Sequence, residues 1–319
     1  MNDVVRAAAL LRAGELVAFP TETVYGLGAD ASNPGAIARI FAAKGRPADH
    51  PLIVHLPDAS QLERWAADIP AAAHGLAAAF WPGPLTLILR RHPSVSDAIT
   101  GGQDTVGLRV PNHPLALQLL REFGGGVAAP SANRFGRVSP TTAAHVRDEL
   151  GAAVSMILDG GPCAVGIEST ILDLSGDRAR ILRPGMLDAA AIAAVLGHPP
   201  ALGAERSSPR VSGALETHYA PATELRLVAA GDLVRALRVG LAAGRHIAVL
   251  ADPQLLRDHP GIACHPASPD PVRFAHDLYA ALRELDALGG DLILVAAPPE
   301  EEAWWAVNDR LRRAAAGSK

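Results

Sequence analysis

"AVSMILDGGPCAVGIESTILDLSGDRARILRP", residues 153–184, decides the fold class. Three runs in it, at 153–159, 169–175 and 178–184, are short, rich in Ile, Leu and Val, and bounded by Gly, Pro, Ser or Asp. They read as strands. Too little chain separates them for the helical crossovers that neighbouring parallel strands need, so at least part of their sheet is antiparallel or mixed. The class is therefore α+β rather than a simple doubly wound sheet.

Upstream, further apolar runs predict strands at 15–19 ("ELVAF"), 51–56, 85–91, 105–110 and 126–130. Helices are expected at 3–13, 33–43, 58–80, 113–123 and 140–150, the first capped by Asn2 or Asp3 and stopped by Gly14. Downstream, "HPPALGAERSSPRVSGALETHYAPAT" (198–223) is rich in Pro, Gly and Ser, has no apolar period, and reads as a linker. Beyond it, "ELRLVA", "HIAVLA" and "DLILVAAP" alternate with helical stretches at 231–243 and 271–288, and a last helix begins near Glu300. That alternation predicts a small parallel α/β domain. With 319 residues the chain suggests two domains, drawn as 1–200 and 223–319 with a linker at 201–222. In the second domain Leu278, Leu282 and Leu285 mark a core face, Trp304 or Trp305 packs on the sheet, and Arg310, Arg312 and Arg313 are expected in solvent.

Composition excludes several classes. The formal charge is −4, with no basic excess on either side of Arg210, so stable nonspecific binding to nucleic acid is not expected. No apolar run approaches the roughly 20 residues of a membrane span, and the first residues lack the pattern of a secretory signal. A cytoplasmic protein is expected. Cys163 and Cys264 have no metal-ligand spacing and read as small buried hydrophobes, and no metal site is indicated. "GLGADA" (26–31) matches a dinucleotide fingerprint only nominally, because "PTETVY" occupies the turn a pyrophosphate needs. There is no Walker A sequence, no G-x-S-x-G elbow and no H-E-x-x-H helix.

What remains is a series of polar clusters at strand ends: "PTETVYGLG" (20–28), "KGRPADHPLIVH" (44–55), "TVGLRVP" (105–111), "PSANRFGRVSPT" (130–141), "GIEST" (166–170) and "LRPG" (182–185). Lys44 is notable there, since all the other cations are Arg except the terminal Lys319. Its compact charge suits phosphate oxygens, whereas the Arg fork suits carboxylates. Read together, the clusters resemble the YrdC-like family. With the C-terminal extension and "HYAP" (218–221), the chain resembles the two-domain threonylcarbamoyl-AMP synthases over nearly its whole length.

The resemblance implies a YrdC-like domain with a twisted mixed sheet and flanking helices, followed by a smaller Rossmann-like α/β domain. It implies condensation of L-threonine, bicarbonate or CO2, and ATP into threonylcarbamoyl-AMP and pyrophosphate. Mg2+ would accompany the ATP, and downstream tRNA threonylcarbamoyl transferase proteins would take the product. Carried over by position, it assigns Thr23, His55, Arg109, Ala129 and Ser169 to threonine. Arg46, His50, Thr105, Ser131, Ser139, Arg183 and Tyr219 go to ATP, and Lys44 and Arg46 are the catalytic candidates. Positioning and charge neutralisation then carry the chemistry, with no dedicated nucleophile. Helix capping alone also explains Ser139, and domain packing alone explains Tyr219.

Two positions depart from the family pattern: His50 stands where Asn is common, and Phe135 where Ser is usual. Imidazole replaces an amide only in part, and Phe donates no hydrogen bond. Two rival readings are a double-stranded RNA or tRNA-binding module and carbamoyl transfer in hydrogenase maturation. The acidic balance weighs against the first; the second expects acylphosphatase-like and Cys-rich segments that this chain lacks.

Overall fold

The structure is a computed structural model that describes residues 2–318. The chain packs as two units. One comprises the residues up to Phe135 together with Pro140–Ala214, the other Gly136–Ser139 together with the residues from Leu215 onward.

The first unit is built on ten strands: β1 (Val17–Phe19), β2 (Gly26–Asp30), β3 (Ile53–His55), β4 (Leu85–Arg90), β5 (Thr105–Arg109), β6 (Val127–Ala128), β7 (Met156–Ile157), β8 (Thr170–Asp173), β9 (Arg180–Arg183) and β10 (Ala201–Leu202). They form one sheet in the order β10-β9-β8-β4-β5-β3-β6-β2-β1-β7. It is mixed, as residues 153–184 require: β8 and β9 pair antiparallel, while β3–β5 and β4–β8 pair parallel. The 201–222 stretch, read as a linker, opens as the edge strand β10 beside β9.

The period-2 alternation of a strand sorts β1 between two cores. Val17 and Phe19 join Val4, Leu11, Leu119 and Leu120, from the helices Asp3–Arg12 and Pro114–Phe123. Leu16 and Ala18 join Ile37 and Ile40, from the helix Pro34–Lys44. That last helix has clear local causes. Asn33 accepts from the Gly35 and Ala36 amides, Pro34 fixes the first turn, and Gly45, at φ 62°, takes the left-handed stop. It delivers Lys44 to its C-terminal end.

Two elements differ from the sequence reading. The helix expected over 58–80 is interrupted: Leu62–Trp65 ends at an extended Ala66, and a new helix, Ala71–Phe80, starts after Pro70. A residue before proline is pushed out of the helical region, and Ile69 holds that place. The strand β2 lies over "GLGAD", where the sequence offers only a nominal dinucleotide fingerprint. A Cβ on Gly28 would sit 2.9 Å from the Phe19 ring and 3.0 Å from the Val17 carbonyl oxygen, so glycine is there for close approach and hides the strand.

The second unit carries β11 (Glu224–Val228), β12 (Ile247–Ala251), β13 (Ala263–Pro266) and β14 (Leu292–Ala296), all parallel, in the order β11-β14-β12-β13. The edge strand β13, "ACHP", has no apolar run and was not foreseen. Leu278, Leu282 and Leu285 are buried on the helix Pro271–Ala287, and Trp304 is buried against Phe274, with ring centroids 5.5 Å apart.

Arg310 corrects the expectation that it is solvated. It is 0% exposed, 2.8 Å from the Asp309 carboxylate, with its guanidinium carbon 5.3 Å from the Tyr219 ring centroid. Residues 136–139 are fastened within this unit. Ala220 donates to the Gly136 carbonyl at 2.8 Å, Arg137 pairs with Asp286 at 3.1 Å, and Arg283 donates to the Val138 carbonyl. Asp286 also accepts from the Ala222 and Thr223 amides. Burial opposes its ionisation, but those donors and the Arg137 charge hold its carboxyl below the usual range.

Candidate active site

The parallel register sets His55 of β3 beside Arg109 of β5, at the C-terminal ends of both strands. Phe19 meets the His55 ring edge-on at 6.0 Å. The Arg109 guanidinium is held on three sides. Its Nε donates to the Gly83 carbonyl at 3.2 Å, one Nη to the Thr23 hydroxyl at 2.9 Å, and the other to Glu22 Oε1 at 2.6 Å. Of its five N–H groups, the two left over are enough for a ligand's carboxylate.

Thr86 of β4 meets the Ser169 hydroxyl at 2.8 Å, just ahead of β8. Arg183, on β9, donates to the Ser169 carbonyl at 2.9 Å and to its hydroxyl at 3.0 Å. It also reaches the Ser212 carbonyl at 2.8 Å. Ala129 is buried and donates its amide to the Ile53 carbonyl at 2.9 Å, which places it alongside β3. Thr23, His55, Arg109, Ala129 and Ser169 are thus tied to the same central strands.

Of the remaining candidates, Arg183 is at the Ser169 end, while Thr105 and Arg46 lie toward the opposite strand ends. Thr105 begins β5, four residues before Arg109 and so roughly 13 Å away along the strand. Arg46 donates to the Pro51 carbonyl at 2.9 Å, just ahead of β3, and stands 3.5 Å from the Ser212 hydroxyl. The Lys44 ammonium is buried and donates to the Ser131 carbonyl at 2.6 Å and to the Asn133 carbonyl. A bridge from Ser131 to Gly26 returns that loop to the strand after Thr23. Burial, then the neighbouring Arg46 charge, push the Lys44 amine well below its ordinary range, with Glu149 opposing in part.

The two positions that depart from the family pattern touch each other. The His50 and Phe135 rings meet edge-on at 5.2 Å, and the Arg46 guanidinium carbon lies 5.8 Å from the Phe135 ring centroid. An aromatic–cation group therefore stands where hydrogen-bonding side chains were expected. Burial and the Arg46 charge lower the His50 pKa.

Ser139 and Tyr219 belong to the second unit. Ser139 is fully buried there, and its carbonyl accepts from Arg283 at 3.4 Å. Tyr219 is 1% exposed, its ring stacked on Tyr279 at 5.7 Å and against Arg310. The enclosed ring already has packing partners in its own unit. Residues not singled out from sequence are Thr21, Glu22, Thr86 and Ser212. Thr21 and Glu22 lay inside "PTETVYGLG", and the signal available was a carboxylate between two hydroxyls ahead of a strand.

His55 supplies a pH prediction. Burial, then the Arg109 charge, lower its pKa to about 3, with the Ile53 and Val127 backbone groups offsetting this only in part. The unfolded chain takes up a proton near pH 6.5 that the folded chain refuses until about pH 3. The stability this neutral ring supports is therefore complete above pH 6.5 and is lost as pH falls, at roughly 1.4 kcal/mol per unit. Urea unfolding followed by Trp65 and Trp81 fluorescence should show a loss of about 3 kcal/mol between pH 7 and 4.5 from this group. His55→Gln should lack that loss; an unchanged acid limb in the variant would remove His55 as its cause.

Comparison with known proteins gives two family matches. The model Sua5_yciO_yrdC, described as Telomere recombination, matches residues 9–185. The model Sua5_C, described as the C-terminal domain of threonylcarbamoyl-AMP synthase, matches residues 187–316. The chain is 42% identical to the threonylcarbamoyl-AMP synthase of Bacillus subtilis, over 99% of this chain and 94% of that protein. It is similar to Pyrococcus abyssi Sua5 complexed with L-threonine, with a TM-score of 0.90 and 38% identity over 99% of this chain and 94% of that one. Full-length HypF in its phosphate- and nucleotide-bound form aligns with 57% of this chain and 29% of its own at 17% identity and a TM-score of 0.51, which is a likeness of fold alone.

Proposed function

The chain belongs to the Sua5, YciO and YrdC family, and from that premise we infer that its chemistry is carried by the groups gathered along β3 and β5. Its function is threonylcarbamoyl-AMP synthesis. We propose that it condenses L-threonine, bicarbonate and ATP, with threonine at the His55–Arg109 end and the triphosphate toward Lys44 and Arg46. The observation that carries this arrangement is the separation on one strand pair. A guanidinium with two spare donors stands at one end, and Arg46, close to the buried Lys44, lies toward the other.

In this reading Arg109 holds the threonine carboxylate, and Ser169, fixed by Thr86 and Arg183, borders the same space. Lys44 and Arg46 neutralise charge as a carbamate oxygen approaches the α-phosphorus, so that orientation and electrostatics do the catalytic work. Ser131 and Thr105 line the nucleotide side, with the His50–Phe135 pair as an aromatic neighbour, and Arg183, bonded to both Ser169 and Ser212, stands between the two ends. Among the described residues no cluster of three His, Cys, Asp or Glu side chains is built for a metal. Mg2+ therefore fits as a companion of the phosphates, which supply its oxygen ligands.

The product is a mixed anhydride and must be consumed by an acyl-transfer step, which we assign to downstream tRNA threonylcarbamoyl transferase proteins. Among the described residues no helix is long and apolar enough to cross a membrane, and we place the reaction in the cytoplasm. Pyrophosphate release from ATP should require L-threonine and bicarbonate together. Release at the same rate without either would replace this reading with that of another ATPase.

A further inference from the structure

We propose that Glu22 reads the amino group of the substrate, making the site a receptor for a zwitterion rather than for a carboxylate; the proposal rests on threonine binding at Arg109. Glu22 and Arg109 form a buried ion pair at 2.6 Å, with side chains 8% and 5% exposed. A site that only had to hold a carboxylate gains nothing from a second carboxylate beside its guanidinium, because the two anions repel. A ligand bearing a positive group next to its carboxylate reverses that sign. An α-amino acid is such a ligand.

Hydrogen-bond polarity leads to the same assignment. The Thr21 hydroxyl donates to the Val24 carbonyl at 2.6 Å, which uses its only proton. Thr21 Oγ1 also accepts from the Thr23 and Val24 amides and lies 2.8 Å from the Thr23 hydroxyl, so it holds that hydroxyl in place. Thr23 Oγ1 takes one N–H of Arg109 and keeps a lone pair for a ligand's donor. Glu22 is acceptor-only: Oε1 takes Arg109, Oε2 takes the Asn112 amide at 2.9 Å, and each oxygen keeps a second lone pair. Two acceptors thus flank a cation with two spare N–H groups, the complement of an ammonium beside a carboxylate. The contact survives deprotonation, since the neutral amine that attacks CO2 still carries N–H donors.

The test is titration calorimetry on the full chain with L-threonine and with its 2-hydroxy analogue, which keeps the carboxylate, the 3-hydroxyl and the methyl group. Wild-type protein should bind threonine at least about tenfold tighter than the analogue, as expected for loss of a charge-assisted contact. Glu22→Gln should bring the two affinities within about twofold by weakening threonine alone. Equal weakening of both ligands would mean that Glu22 acts only by holding Arg109, and would overturn the proposal. A wild-type ratio below about twofold overturns it without any variant, so a misfolded Glu22→Gln leaves the question decidable. Wild-type protein that binds neither ligand refutes the threonine reading itself.

Discussion

Lys44→Met is expected to lower threonylcarbamoyl-AMP formation by about 10²-fold, the usual effect of deleting one preorganised donor from a charged transition state. The reason lies in where the amine sits. Two of its hydrogens go to the Ser131 and Asn133 carbonyls, and burial beside Arg46 disfavours its charged form. An arriving triphosphate supplies the missing anion and favours that charged form. Titration calorimetry with ATP reads this contribution directly. Lys44→Met should weaken ATP binding at least about tenfold, while methionine keeps most of the apolar stem. Activity and ATP affinity both within about threefold of wild type would reduce Lys44 to a structural tie for the 131–133 loop.

Arg109→Met is the second large effect, and it divides into two measurements. Removing one partner of a buried pair leaves Glu22 as an uncompensated charge, at a cost of about 3–5 kcal/mol in urea unfolding. Threonine-dependent pyrophosphate release should fall with it, since the carboxylate loses its fork. Adding Glu22→Gln to Arg109→Met should recover much of the stability and none of the activity, because the stranded charge is gone but the fork is still missing. A double variant no more stable than Arg109→Met would show that the pair contributes little to folding.

Much of the fold was legible because its signals are local. The three runs in 153–184 were spaced too closely for crossovers, and β8 and β9 do pair antiparallel. Leu278, Leu282 and Leu285 announced a buried helical face by spacing alone. What stayed hidden depends on distant partners. β2 is a strand because Gly28 lets it lie against Phe19 and Val127, and the second of these neighbours is ninety-nine positions further along the chain, outside any window around "GLGAD". Arg310 read as solvated because its charge is obvious and the Tyr219 ring, ninety-one positions earlier in the chain, is not. The site divides in the same way. Lys44 stood out as one of two lysines, and Arg46 and Arg109 followed from the resemblance of the polar clusters that hold them. Glu22 did not, since its meaning comes from an ion pair with a strand far along the chain.

Residues 136–139 have a wider consequence. By packing they belong with the C-terminal body, through Ala220, Arg283 and Asp286, yet by covalent order they interrupt the N-terminal one. The two bodies are interleaved along the sequence, so no single cut of the polypeptide releases both whole. A gene fusion that simply appended the second to the first would also have had to refit this four-residue insert.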